Sequence, residues 1–131
     1  MKNQGLLNPE IIAQVASTGH TQYICIADCG LPVPSGVRVI DVSVTKGIPS
    51  FMDVLNAVAG ELVVESIVVA KEIEAFNLNL LQEIKHLLGE LPTEKIPHEE
   101  FKKRVEKAQC VIRTGEATPY GNILLIGGVN F

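Results

Sequence analysis

Residues 62 to 70 read LVVESIVVA, and this run constrains the fold more than any other. Five of its nine residues are Val or Ile, whose branched Cβ atoms suit a pleated sheet better than a helix. Only Glu65 and Ser66 interrupt it. Shorter runs of the same kind recur at Tyr23 to Ala27, in VRVIDVSV (residues 37–44), in CVIRTG (110–115) and in NILLIGGV (122–129). Between them lie segments of helical spacing. Asn8, followed by Pro9 and Glu10, is an N-cap with proline at the first helical position, and Gly19 is the expected C-cap of that helix. Ser50 caps a second helix whose Phe51, Val54, Leu55 and Val58 fall on one face. Leu78 to Leu88 has helical spacing, Leu91 to Pro97 reads as a short turn-bounded segment, and His98 to Lys107 reads as a charged helix.

Strands alternating with helices of ten or so residues predict an α/β fold: a single three-layer domain over residues 1–131, with a mainly parallel sheet flanked by helices. Composition agrees. Of the 131 residues, 47% are hydrophobic but only 5% aromatic, and Trp is absent, so the core must be built from Val, Ile, Leu and Ala. A chain of this length buries one core, so a site is built on that core or shared with another copy.

Charge and segment patterns exclude several partners. The net charge is −4. The basic residues are scattered apart from Lys102-Lys103-Arg104, which leaves no stripe to track phosphates and no expectation of nucleic acid. No apolar run approaches the ~20 residues of a membrane span. The opening MKNQGLLNPEII lacks a charged region leading into a long apolar segment, so a cytoplasmic location is expected. Cys25, Cys29 and Cys110 are odd in number and lack CxxC spacing, so they are expected to be reduced. Cys25 and Cys110 read as small core residues. Cys29 opens a loop beside Asp28, a neighbour that would raise a thiol pKa rather than activate it. Cys25 and Cys29 lie too far apart on a strand to share a zinc ion.

Familiar catalytic motifs are missing. There is no GxGxxG, Walker loop or GxSxG elbow, and Gly127-Gly128 ends the last strand with no helix after it to bind phosphate. His86, in IKHLLG, sits on the last turn of a helix, where a cation suits the dipole. Four polar clusters remain, each at the end of an apolar element: Gly19-His20-Thr21; Asp28 to Pro32; His98 with Lys102; and Thr114 to Glu116 through Pro119-Tyr120-Gly121-Asn122. Each alone has a plain explanation as a loop residue, a turn former or a helix start. Together they offer two imidazoles, a carboxylate, an ammonium, a phenol and an amide, the set a polyhydroxyl ligand requires.

The GHT of residues 19–21, D-x-GLP of 28–32, GxPSF of 47–51, IRTGE of 112–116 and PYGN of 119–122, in that order and over almost the whole chain, resemble the D-ribose pyranase family. The resemblance implies mutarotation of a free sugar, interconverting pyranose and furanose ribose with neither metal nor organic cofactor. Relatives act on fucose. The fucose-type members carry a bulkier His-Phe pair where this chain has Gly30-Leu31, so the resemblance favours ribose. Cys29 stands where alanine is common, and Gln22 where an acid is common. The resemblance further implies that His20 is the acid catalyst and that Asp28, His98, Tyr120, Gly121 and Asn122 hold the sugar, with Lys102 nearby.

Three alternatives stand beside a ribose mutarotase: a mutarotase acting on fucose, a non-catalytic sugar-binding or assembly module, and an aldose isomerase. The last wants a metal or a base for a carbon acid, and no carboxylate cluster supplies either. Geometry adds an expectation. His20 and Asp28 are eight positions apart, up to ~26 Å if the segment is extended. One small sugar cannot span that distance, and YICIA has no glycine or proline at which to fold back. A homo-oligomer with sites shared between subunits is therefore expected, and the family's ring-like assemblies point the same way.

Overall fold

The computed structural model describes residues 1–131. Its sheet has six strands: β1 (Tyr23–Ala27), β2 (Val39–Asp41), β3 (Val64–Ala70), β4 (Thr93–Ile96), β5 (Val111–Arg113) and β6 (Ile123–Gly127). They lie in the order β2-β5-β1-β6-β3-β4. Pairs β1–β5, β2–β5 and β3–β4 are parallel, whereas β6 runs antiparallel to both β1 and β3. Five strands thus share one direction and β6 alone opposes them. The sheet is mainly parallel, as expected.

The reversal follows from the connection. Residues 114–122 join β5 to β6 without a helix, and a parallel return needs a crossover of a dozen or more residues. The chain instead steps over the end of β1, which lies between β5 and β6, and re-enters the sheet the other way.

Alternation along the strands splits the interior into two layers. Ile24 and Ile26 of β1, Ile67 and Val69 of β3, and Ile123 and Leu125 of β6 join the larger cluster, with Phe51, Leu55, Val58, Leu81 and Ile84 from the helices α2 (Phe51–Ala59) and α4 (Leu78–Leu88). Cys25, Ala27, Val68 and Leu124 face the other way, against Phe101 and Val105 of α5 (His98–Val105). The expected α2 face is entirely buried. Ser50 and Asp53 form a capping box at its start. Truncating Phe51, which is fully buried, would cost roughly 3–5 kcal/mol.

Several boundaries differ from the sequence reading. The first helix, α1 (Pro9–Ser17), starts at the expected Asn8 cap, whose side chain accepts from the amides of Glu10 and Ile11. It stops at an extended Thr18 rather than at Gly19, because the Thr18 hydroxyl bonds back to the Gln14 carbonyl. Residues 91–97 contain the edge strand β4, held by β3. Only Val39–Asp41 of 37–44 forms strand β2, since β5, its one neighbour, ends at Arg113. A one-turn helix, α3 (Glu72–Phe76), precedes α4. Helix α5 ends at Val105, two residues short of Lys107.

Candidate active site

The β5–β6 connection carries most of the candidate site because it crosses the C-terminal end of β1. Thr114, fully buried, bonds the Ala27 carbonyl through both its amide and its hydroxyl, at 3.0 and 2.8 Å. The Cys29 amide donates to the Glu116 carbonyl at 2.9 Å. Asn122 is fully buried. Its Oδ1 accepts from the Asp28 amide at 2.8 Å, and its Nδ2 donates to Asp28 Oδ2 at 3.0 Å. Asp28 Oδ1 accepts from the Gly30 amide at 2.9 Å. The carboxylate is therefore oriented before any ligand arrives, while its remaining lone pairs are free to accept hydroxyl protons.

Tyr120 lies two residues before Asn122 and accepts the Asn122 amide on its carbonyl at 2.9 Å. Its φ of 57° is left-handed, a conformation sparsely populated outside glycine. Gly121 allows the tight passage that follows, for a Cβ there would sit 3.0 Å from Glu116 Cγ and 3.3 Å from Leu80 Cδ2. His98 meets the Tyr120 ring edge-on with centroids 5.1 Å apart, and the Phe76 ring lies tilted against Tyr120 with centroids 5.8 Å apart. The His98 amide is held by both oxygens of Glu72, at 2.9 and 3.1 Å. His98 Nδ1 is buried without a hydrogen-bond partner. A buried nitrogen in that state awaits one, and it stands in the cluster that contains Tyr120.

Asp28, His98, Tyr120, Gly121 and Asn122 thus come together. Lys102 lies one turn along α5 from His98, and its ammonium is held by Glu99 Oε1 at 2.9 Å. A cleft of about 620 Å³ opens beside Asp28, walled among others by Cys29, Ser43, Lys46, Gly115 and Glu116. His98 and Tyr120 are not among its walls, so the cluster is defined by its contacts rather than by an enclosing cavity.

His20 is elsewhere. It precedes β1, whereas Asp28 follows it, and five strand residues span about 17 Å. Its Nε2 lies 2.9 Å from Glu65 Oε2. The next residue, Thr21, has a φ of 70°, an outlier for a β-branched side chain that costs roughly 1–3 kcal/mol. A second cavity of about 430 Å³, lined by His20 with Ile12, Val15, Glu61, Val63 and Phe131, lies at this end of the sheet.

Two carboxylates to which the sequence assigned no site role have partners here. Glu116 Oε1 accepts from the Phe51 amide at the start of α2, and its Oε2 accepts from the Thr118 hydroxyl. It ties the connection to a helix N-terminus, where a negative charge is favoured. Glu65 partners His20. Its signal was an acid inside a β-branched run.

The RbsD / FucU transport protein family matches residues 1–130. The chain belongs to this family. Among its relatives, a D-ribose pyranase of Geobacillus thermodenitrificans (strain NG80-2) is 51% identical over 131 residues, covering 100% of this chain and 99% of the relative. A D-ribose pyranase of Bacillus cereus (strain B4264) is 50% identical, with 100% of both chains covered. The structure of Bacillus subtilis RbsD complexed with D-ribose superposes with a TM-score of 0.96 at 45% identity, over 100% of each chain. A fucose mutarotase from Streptococcus pneumoniae, solved with L-fucose, shares the fold at a TM-score of 0.78 and 22% identity, again over 100% of each chain. No helix here is long and apolar enough to cross a membrane.

Proposed function

We propose that this chain is a D-ribose pyranase, an intramolecular isomerase that interconverts the pyranose and furanose forms of free ribose in the cytoplasm, working as a homo-oligomer. The observation that carries the reading is the full-length match to ribose pyranases at about half identity, joined to a TM-score of 0.96 with a ribose-bound relative.

The chemistry is modest. Opening the pyranose takes a proton from the anomeric hydroxyl and delivers one to the ring oxygen. The aldehyde then rotates, and a different hydroxyl closes the ring. Imidazole, with an ordinary pKa of about 6.5, serves either direction at neutral pH. Proton transfer of this kind contributes about 10²- to 10⁴-fold. In this reading His20 moves the proton. Asp28 accepts from adjacent sugar hydroxyls, Tyr120 offers a ring face and a hydroxyl, and His98 and Asn122 complete the cradle with the Gly121 backbone and Lys102 nearby.

The placement of His20 before β1 and Asp28 after it supports a site shared between protomers, with His20 of one copy facing the Asp28 cluster of the next. Ring assembly satisfies that requirement.

NMR of ribose with and without the protein tests the activity. Accelerated exchange between ring forms is expected; unchanged line shapes would mark a binder, and ribulose would mark an aldose isomerase. Mixing His20→Ala and Asp28→Asn subunits, dissociating and reassembling them, tests sharing. Interfaces pairing the intact His20 with the intact Asp28 should restore part of the exchange. No recovery, with co-assembly verified by mass spectrometry, would place both residues within one protomer.

A further inference from the structure

We infer that Glu65 is a positioning residue for His20, holding the ring so that Nδ1 is the nitrogen that exchanges protons with the sugar; this rests on His20 being the acid–base group. A carboxylate only accepts hydrogen bonds, so the 2.9 Å contact requires Nε2 to carry a hydrogen. In the neutral ring Nδ1 is then the free acceptor, and in the charged ring it is the free donor. Which nitrogen reacts is fixed by what the other one binds.

The plain alternative is an incidental surface ion pair. The side chains are 53% and 41% exposed, and pairs of that kind contribute little. What separates this pair from Lys102–Glu99 or Arg104–Glu94 is the backbone built around it.

Three features converge there. The register of β3 against β6 slips between Val64 and Ser66, pairing Val64 with Gly127 and Ser66 with Ile126, so Glu65 is the extra residue of a β-bulge. Strict alternation would put Glu65 on the face of Ile67 and Val69. The bulge instead lets Val64 pack against that cluster and leaves Glu65 exposed.

The second feature is Thr21, whose φ of 70° is held by its amide bonding the Gly127 carbonyl at 2.9 Å. The third is the Gly127-Gly128 pair that ends β6, the strand between β1 and β3. A Cβ on Gly127 would come within 2.9 Å of the Gly19 carbonyl oxygen, and one on Gly128 within 3.1 Å of Glu65 Cβ. With neither present, His20 and Glu65 meet across the end of β6. A sequence element that binds no phosphate thereby acquires a role.

The experiment uses the full chain in its native assembly. Long-range ¹H–¹⁵N NMR, at a pH where the couplings show a neutral ring, should report the Nε2–H form of His20 in the unmodified protein. The isosteric Glu65→Gln variant, which can donate as well as accept, should populate both forms. Its ring-exchange rate should fall roughly tenfold or more, as for other groups that orient a reactive side chain, while ribose affinity stays within about twofold. Adding Glu65→Gln to His20→Ala should cause no further loss. A Glu65→Gln exchange rate within twofold of the unmodified protein, an unchanged ring form, or additional loss on the His20→Ala background would each overturn the inference. Full exchange by His20→Ala alone would instead overturn the assignment of His20 on which it rests.

Discussion

Asp28 and Asn122 grip each other twice, the Asp28 amide giving a hydrogen to Asn122 Oδ1 and Asn122 Nδ2 giving one to Asp28 Oδ2, at 2.8 and 3.0 Å. The two residues are 94 positions apart, yet this pair sews the end of β1 to the start of β6. The Asn122 side chain is fully buried, whereas Asp28 is half-buried at the cleft, so the pair fixes the carboxylate from the protein side and leaves its other side open.

Asn122→Ala should therefore act on both fold and ligand. Leaving the Asp28 amide unpaired costs roughly 1–3 kcal/mol of stability. Ribose affinity should fall about tenfold as the carboxylate loses its orientation. Denaturant melts and ligand titration check the two separately. Undiminished affinity would remove Asn122 from the site.

Tyr120 can be dissected into ring and hydroxyl. Tyr120→Phe keeps the contacts with His98 and Phe76, so stability should stay within about 0.5 kcal/mol, and any affinity lost measures the hydroxyl. Tyr120→Ala removes both and should bind ribose at least tenfold more weakly. Equal titration curves for all three proteins would mean that the sugar does not touch this side chain.

Gly128→Ala should slow ring exchange by several-fold with little change in ribose affinity. Its new methyl lands 3.1 Å from Glu65 Cβ and 3.2 Å from Val63 Cγ1, so Glu65 and Val63 must give by a few tenths of an ångström, which shifts the carboxylate relative to His20. Saturation-transfer NMR on the variant measures the rate. A rate equal to that of the unmodified chain would show that Glu65 tolerates the shift.

Thiol labelling should find one reactive cysteine of three. Cys29 is exposed. Cys25 and Cys110 are fully buried, and burial drives the Cys25 thiol far above its ordinary value and pushes that of Cys110 up to about 11. Iodoacetamide at mildly alkaline pH should add a single group, located at Cys29 by peptide mapping. Fast labelling of Cys25 would show that β1 opens locally.

Stability should decline in acid. Hydrogen bonds from Ser43, with Arg113 adding to them, hold Asp41 below the usual carboxylate range. The Leu6 amide with Lys2 does the same for Glu61, Lys95 for Glu74, and Lys102 for Glu99. A carboxylate whose folded pKa is depressed stabilises the fold above its unfolded value, about 4, and loses that contribution as pH falls through the folded value. Tm should be nearly flat from pH 7 to about 5 and drop below about 4. A Tm that rises on acidification through that window would contradict the assignment.

How much was legible depended on how local each signal was. Strands β1, β3 and β6 announced themselves through β-branched and aliphatic runs, and α1 and α2 through Asn8 and Ser50. Strand β4 did not, because Thr93-Glu94-Lys95 is polar and becomes a strand only through pairing with β3 at the sheet edge. Helix α3 is a single turn, too short for a period to show. The polar residues at element ends were readable one by one, and the family resemblance grouped them, but how the fold brings them together was not readable. That depends on the 114–122 connection passing over β1, a consequence of strand order. Glu65 and Glu116 were visible, one interrupting a β-branched run and one inside a polar cluster, but neither had a role because its meaning lies in a partner 45 or 65 positions away.

The separation of His20 and Asp28 along β1 gives each protomer a direction, a donor end and an acceptor end. If the site is shared, every copy completes its neighbour's centre and borrows completion for its own. The count of working centres then depends on closure: an assembly that closes on itself has as many as it has subunits, while an open chain always wastes one half-centre at either tip. Dilution below the association threshold would abolish turnover at a sharp concentration while each isolated protomer still held its sugar, so specific activity would become a measure of assembly.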